Sequence, residues 1–310
     1  MELIKINTSL SEFKFQKPVI ACIGEFDGMH IAHQKLITET INLSKANDCA
    51  SALITFDPHP DYVLKKRKYE GYLTSFEEKK NIGQKLGLDY FIVIDFNSEL
   101  AKLNKDEFYE RYLKVLKGLL IGNDYKFGYK GEGNEYFLRD KFDFFKSLDV
   151  MCYGDLNEKI GSDVIRNSLK EGNIALANNL LGRNFSYSGK VLEGKKLGRT
   201  WGFPTANILI NNEMFKIKKG VYAVKCEMNK KFLLGIANFG NNPTCNFVEE
   251  ARLEVHLFDF EENIYGIDLK VEFLKFVRGE KKFESSIELV EQIKNDINIV
   301  KEEFGGKIWE

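Results

Sequence analysis

The sequence predicts two domains of different class: a parallel α/β sheet with crossover helices, then a small closed antiparallel β-barrel with one C-terminal helix. Three observations predict it. Between residues 18 and 154, short apolar runs alternate with charged helical stretches. Beyond residue 185 the texture becomes alternating strands with no helical period. The period returns only in SSIELVEQIKNDINIVKEEF, where Ile287, Val290, Ile293, Ile297, Val300 and Phe304 fall on one helical face.

In the first domain the expected strands are PVIACIG (18–24), SALITF (51–56), YFIVIDF (90–96), GLLIG (118–122) and VMCYG (150–154). Two of the intervening helices carry start signals: Thr74 stands three residues before Glu77 and Asn104 three before Glu107, the spacing of a capping box or its Asn analogue. In the second domain YSGKVLEG, VYAVKCEM, FLLGIANFG, RLEVHLFDF and LKVEFLKFV read as strands. The change of texture places the boundary near residues 182–186, giving domains 1–182 and 183–310, although no Pro/Gly/Ser-rich linker marks it.

Composition excludes several function classes. A chain of 310 residues with a formal charge of -1 has no global field to attract nucleic acid or an anionic membrane, so a charged ligand must be held locally. The KKRK run at 65–68 lacks interleaved aromatics and reads as a solvated loop. Cys22, Cys49, Cys152, Cys226 and Cys245 are odd in number, scattered and without a CxxC pair, which argues against a disulfide framework or structural zinc and fits a reducing cytoplasm. Neither a leader-like N-terminus nor a run of membrane-spanning length is present, so the protein is expected to be soluble and unprocessed.

Only four histidines occur, and two of them, His30 and His33, stand three apart in CIGEFDGMHIAHQKLI. This stretch reads strand, glycine-punctuated turn, helix. Gly24 and Gly28 let the backbone turn so that the first amides of the helix point at an anion near the strand end. His30 and His33 then share one helix face beside it and can donate to phosphate oxygens whose charge grows during transfer. Two other readings stay open on these residues: metal ligation, which lacks a third ligand nearby, and a structural pair at a helix start. His59, in TFDPHP after the second strand, lies at the same carboxyl end of the sheet, where open α/β sheets bind ligands.

In the second half LGRTWGFPTANI (197–208) sets Thr205 and Asn207 two apart in an extended segment, presenting a hydroxyl and an amide oxygen to one side. Such hard oxygen donors suit Mg²⁺ on nucleotide phosphates, while a plain inter-strand loop explains an isolated Thr-x-Asn equally well. In RLEVHLFDF the alternation puts Arg252, Glu254 and His256 on one strand face.

GEFDGMHIAHQKL resembles the G-x-F-D-G-x-H-x-G-H element of the nucleotidyltransferase superfamily. TFDPHP, IGNDYKFG and IGSDVIR follow in the order seen in the adenylyltransferase half of prokaryotic bifunctional riboflavin kinase/FAD synthetases, and GFPTAN resembles the riboflavin kinase motif. The resemblance covers nearly the whole chain. It implies a Rossmann-like nucleotidyltransferase domain that adenylylates FMN to FAD, and a barrel that phosphorylates riboflavin to FMN, with ATP as co-substrate and Mg²⁺ as cofactor. On the first domain it implies phosphate-holding roles for His30 and His33, and ligand-binding roles for Gly24, Phe26, Asp27, Gly28, His59, Asp124, Ser162 and Arg166. On the second it implies Gly198, Thr205 and Asn207 at the phosphates, the last two also at the metal, Glu254 as general base, and Arg278 and Glu280 on a loop over the flavin. The expected partners are therefore riboflavin, FMN, FAD and ATP, with no nucleic acid and no membrane.

The chain departs from that pattern in its first domain. Ala32 stands for the second glycine of the histidine motif, Glu25 for the usual Asn, and Gly161 and Asp163 for two hydroxyl residues of I-S-S-T-x-I-R. A carboxylate at 163 is expected to repel a triphosphate unless it is turned away or bound to a metal. The alternatives are a riboflavin kinase with a degenerate first domain, and a flavin-binding regulator without chemistry; the latter needs neither Thr205, Asn207 nor Glu254.

Overall fold

A computed structural model describes residues 1–65, 69–155, 157–193, 201–228, 231–241 and 251–306. Gly198, Cys245 and most of the KKRK run lie outside the described residues. The chain divides into two compact units, Met1–Ser162 and Asp163–Glu310.

The first unit runs β1 (Glu2–Ile6), β2 (Val19–Ile23), α1 (Ile31–Ala46), β3 (Ala50–Asp57), α2 (Pro60–Leu64), α3 (Phe76–Leu86), β4 (Tyr90–Asp95), α4 (Lys105–Phe108), β5 (Gly118–Gly122), α5 (Glu135–Leu138), β6 (Phe144–Leu148) and a small hairpin of β7 (Cys152–Tyr153) with β8 (Glu158–Lys159). Six strands form one sheet in the order β1-β4-β3-β2-β5-β6, parallel at every pairing. The near-continuous apolar runs follow from burial of both faces. One face packs Ala21, Ile23, Ile54, Ile92 and Leu119 with Phe108 and Leu113, and the other packs Ile20, Cys22, Leu53, Phe91 and Leu120 with Leu36, Ile37 and Ile41 of α1.

Three sequence expectations shift here. β1 is a parallel edge strand of five residues in which Glu2 and Lys5 break up the apolar run, hiding it from a search for such runs. The sixth strand is FFKSL (144–148) rather than VMCYG, of which only Cys152 and Tyr153 pair, in the hairpin. The cap of α3 is Ser75, whose hydroxyl accepts from the Glu78 amide at 3.3 Å, one residue beyond Thr74. At Asn104 the capping box is complete, with bonds of 2.9 Å in each direction.

The second unit contains most of α6 (Ser162–Glu171), α7 (Ile174–Leu181), β9 (Ser186–Leu192), β10 (Ala206–Leu209), β11 (Gly220–Met228), β12 (Lys231–Asn241), β13 (Ala251–Leu257), β14 (Asp268–Arg278) and α8 (Ser286–Phe304). The strands close as β10-β13-β12-β11-β14-β9, antiparallel at every pairing. Closure needs a glycine at the seam, because a Cβ on Gly189 would lie 1.9 Å from the Leu209 carbonyl oxygen. β10 is too short, at four residues, to stand out as a strand in sequence. Rings of Phe185, Tyr187, Tyr222, Phe239 and Phe273 fill the barrel, and the Tyr187 hydroxyl donates to the Phe215 carbonyl. Val300 and Phe304 of α8 pack against Val221, Ala223 and Ile236, with Ile293 and Ile297 partly buried, whereas Ile287 is exposed.

Candidate active sites

In the first unit β2 has β3 on one side and β5 on the other, so chain direction across the sheet reverses there and the carboxyl ends of β2 and β5 open a crevice. The turn after β2 is tight: Phe26, Gly28 and Met29 have φ of 50°, 83° and 45°. Phe26 and Met29 accept the left-handed region, which costs non-glycine residues about 1 kcal/mol each, because both side chains are fully buried. Gly24 continues the sheet by donating to Ile54 O at 3.1 Å.

The turn delivers His30 to the N-cap of α1, where its Nδ1 accepts from the His33 amide at 3.4 Å. The two imidazoles stack with centroids 3.6 Å apart, and Phe26 meets the His33 ring edge-on at 5.0 Å. His33 Nδ1 is buried and, among the described residues, has no hydrogen-bond partner. Burial, then the neighbouring His30 and the positive charges of Lys79 and Lys159, hold the His33 pKa well below its ordinary value. A neutral ring with an unsatisfied buried nitrogen, next to two cations, is a place prepared for an anionic ligand.

Around this pair the other expected residues act mainly as framework. The buried Asp27 carboxylate accepts from the Leu73 amide at 3.0 Å, and the Asp27 carbonyl accepts from Ser162 Oγ at 2.9 Å. His59 caps α2 through Nδ1, which accepts from the Asp61 amide at 3.1 Å. Its proton therefore sits on Nε2, 3.0 Å from Glu25 Oε2. The departure at Glu25 thus has a partner, and its carbonyl further accepts from Thr55 Oγ1 at 3.0 Å and Lys79 Nζ at 3.2 Å. Asp124, just past β5, pairs with Lys159. Arg166 belongs to the second unit, where its guanidinium lies 3.9 Å from Asp163 and over the Phe215 ring. The Asp163 side chain is 69% exposed, so it is turned toward solvent.

The second site is set by strand register. Asn207 of β10 lies directly opposite Glu254 of β13, which in turn faces Asn238 of β12. Alternation holds along β13: Arg252, Glu254 and His256 are half-buried on one face, with Leu253, Val255 and Leu257 buried on the other. Arg252 donates from Nε and Nη2 to Asn207 Oδ1 at 3.2 and 3.0 Å, and its Nη2 also contacts Glu254 Oε1. His256 Nδ1 is 2.8 Å from the Pro204 carbonyl oxygen and its ring meets Phe203 edge-on, which fixes the segment carrying Thr205. Burial lowers the His256 pKa, partly offset by that hydrogen bond.

Thr205 and Asn207 offer a hydroxyl and an amide oxygen, a hard donor set that fits an octahedral Mg²⁺ sharing phosphate oxygens and water. No cluster of three or more His, Cys, Asp or Glu side chains suited to a metal occurs among the described residues. Glu280 reaches the same barrel edge, its Oε1 lying 2.5 Å from where a Cβ on Gly240 would stand. Arg278 does not join it: it ends β14 and binds the buried Asp296 of α8 through Nε at 3.1 and 3.0 Å and Nη2 at 2.9 Å.

The residues that sequence reading did not single out are Lys79, Lys159 and Arg252. The two lysines come from distant segments and carry no local signal. Arg252 had one, since it shares the strand face of Glu254 two residues on.

Family models match both halves of the chain. Residues 12–163 match the FAD synthetase family model and 181–304 the riboflavin kinase (flavokinase) model. Among curated relatives, the bifunctional riboflavin kinase/FMN adenylyltransferase of Bacillus subtilis is 36% identical over 91% of each chain. The protein of that name from Escherichia coli is 34% identical over 98% of each. A crystal structure from Streptococcus pneumoniae, described as a macrolide-efflux protein, superposes with a TM-score of 0.87 at 29% identity over 96% of this chain and 98% of that one. No described helix of the present chain is long and apolar enough to cross a membrane. The chain belongs to the bifunctional riboflavin kinase/FMN adenylyltransferase family.

Proposed function

We propose that this chain, as a member of that family, phosphorylates riboflavin with Mg-ATP in its barrel and adenylylates the FMN formed with a second ATP in its α/β unit, releasing pyrophosphate. The observation that carries the reading is the cross-strand pairing of Asn207 with Glu254, because it sets an oxygen donor for a metal-bound nucleotide beside a carboxylate. Glu254 takes the proton of the riboflavin 5′-hydroxyl as that oxygen attacks the γ-phosphate of ATP. Thr205 and Asn207 would hold Mg²⁺, which supplies charge neutralisation at the transferred phosphate. Gly198, Arg278 and Glu280 belong to the proposal as nucleotide- and flavin-side residues, Arg278 acting from its anchored position on Asp296.

In the first unit the FMN phosphate is already ionised and needs positioning and charge stabilisation rather than a base. His33, with its unsatisfied Nδ1, and the stacked His30 donate to the α-phosphate of ATP, beside the positive ends of Lys79 and Lys159. Asp27, Gly28, Phe26 and Gly24 shape the turn that presents them; His59, Asp124 and Ser162 complete the ligand-binding set of this unit, and Arg166 is proposed as a ligand-binding residue of its own unit. The functional division is proposed as 1–182 and 183–310, in a cytoplasmic enzyme that uses no nucleic acid and no membrane.

The test is product analysis. Incubation with riboflavin, ATP and Mg²⁺ should give FMN and then FAD, resolved by chromatography. FMN without FAD under every divalent metal supplied would leave the kinase standing and remove the transferase.

A further inference from the structure

One guanidinium contacts both Asn207 and Glu254 in the barrel site. An amide oxygen has two lone pairs, and Asn207 Oδ1 spends both on Arg252, receiving Nε at 3.2 Å and Nη2 at 3.0 Å. The same Nη2 lies against Glu254 Oε1. The arrangement follows from register: Arg252 and Glu254 share a face of β13, and Asn207 stands opposite Glu254, so the fork spans a cross-strand pair. The Arg252 and Glu254 side chains are 34% and 25% exposed, so water screens these contacts only partly.

Taking Asn207 as a residue of the metal site, as proposed above, we infer that Arg252 is a positioning residue that exchanges with the divalent ion. A cation cannot approach an oxygen whose lone pairs are filled by a positively charged donor, so metal binding requires the fork to leave Asn207. Because Nη2 is shared, that departure loosens the Glu254 contact as well. The carboxylate is then released to act as a base only when metal is seated, and in the metal-free protein it is held by Arg252. The fork thus couples metal binding to base release.

The exchange is tested on the full chain by titrating Mn²⁺ in the presence of ADP and reading the free-ion signal by electron paramagnetic resonance. The binding component lost in Asn207→Ala defines the barrel site, separating it from any site in the first unit. Arg252→Met should tighten that component about tenfold or more, the scale of lost hydrogen bonds to a charged donor. Arg252→Lys, which keeps the charge without the fork, should fall between Arg252→Met and wild type. In turnover, Arg252→Met should reach half-maximal FMN formation at lower metal concentration, since no fork has to leave Asn207 and Glu254 before the ion is seated. Folding is checked by circular dichroism, and Arg252→Gln is read by the same criterion if Arg252→Met is unstable. Unchanged or weaker Mn²⁺ binding in a folded Arg252 variant overturns the exchange while the metal site stands. If Asn207→Ala removes no component, the metal-site reading fails and the exchange falls with it.

Discussion

Asn207 and Glu254 are direct register partners across β10 and β13, and the guanidinium of Arg252 touches both side chains. Antiparallel register brings opposed Cβ atoms to about 5 Å. Residues 47 apart in sequence are therefore neighbours through backbone pairing alone. In the proposed kinase chemistry a donor at the phosphates and a base at the hydroxyl need a fixed separation, and the strand register supplies one.

The first expected outcome concerns the base. Glu254→Gln keeps the shape and the Arg252 contact but cannot accept the hydroxyl proton, so FMN formation should fall by about 10²-fold or more while riboflavin binding persists. Steady-state kcat and flavin fluorescence titration together measure this. Near wild-type turnover would remove Glu254 from the mechanism.

How far these sites were legible in the sequence differs between the halves. Periodicity revealed four of the sheet strands and five of the barrel strands, because doubly buried and half-buried strands have distinct apolar patterns. β1, β6 and β10 escaped it: β1 because Glu2 and Lys5 interrupt a short edge strand, β6 because it is only partly buried at the other edge, and β10 by brevity. Motif spacing drew attention to His30, His33 and Asn207, and the family resemblance to Glu254. It could not show that the imidazoles stack, that Glu25 engages His59, or that Arg252 bridges Asn207 and Glu254, since each depends on side-chain direction across elements. Arg278 shows the opposite failure: its exposed-looking charged surroundings hid a buried partner, Asp296, on a helix 18 residues away.

The second outcome separates the two activities. His30→Ala removes the ring stacked on His33 and the acceptor for its amide. Loss of a donor to developing phosphate charge costs about 3 kcal/mol, roughly a hundredfold in rate. FAD formation from supplied FMN should fall by that factor, with FMN formation from riboflavin unchanged. Equal losses in both assays would argue for a folding defect and against a role at the α-phosphate.

A pH dependence follows from His33. Its pKa is depressed in the folded protein, so the unfolded state binds more protons as pH falls below the ordinary value of 6.5. The stability contribution is therefore intact above that pH and is lost on acidification toward the depressed folded value, with a slope of up to about 1.4 kcal/mol per pH unit. Chemical denaturation of the full chain between about pH 7.5 and about pH 5.5, roughly a unit either side of the ordinary imidazole value, should show the first unit weakening on acidification. His33→Gln should flatten that slope; a slope unaffected by the substitution would assign the acid sensitivity elsewhere.

Fragment boundaries test what the barrel needs. Asn178 of α7 donates to the Phe273 carbonyl at 2.9 Å and accepts from the Phe185 amide at 2.8 Å, and the Lys218 amide donates to Leu169 O of α6 at 3.1 Å. A fragment of residues 163–310 keeps these bonds, while 183–310 leaves Phe185 and Phe273 with unpaired backbone groups. The longer fragment should be more stable by several kcal/mol, on the order of 1 kcal/mol per net hydrogen bond plus the apolar cover. Urea midpoints of the two measure it. Equal midpoints would show that α6 and α7 contribute nothing to the barrel.

The last outcome concerns Arg278. Asp296 is 1% exposed and its two carboxylate oxygens receive three contacts from this guanidinium, with Gln292 Nε2 adding one at 2.9 Å. Removing one member of a buried pair strands the other charge, which costs about 3–5 kcal/mol, whereas replacing both with apolar residues of similar volume is often nearly neutral. Arg278→Met should therefore lower stability by about 3 kcal/mol, and Arg278→Met with Asp296→Leu should recover most of it. Flavin affinity separates the two roles given to this residue. If Arg278 only anchors α8 to β14, the double variant regains both stability and riboflavin binding. If its guanidinium also faces the flavin, stability returns and binding does not. Thermal denaturation paired with fluorescence titration distinguishes these results, and a double variant as unstable as the single one would reject the buried pair as the source of the cost.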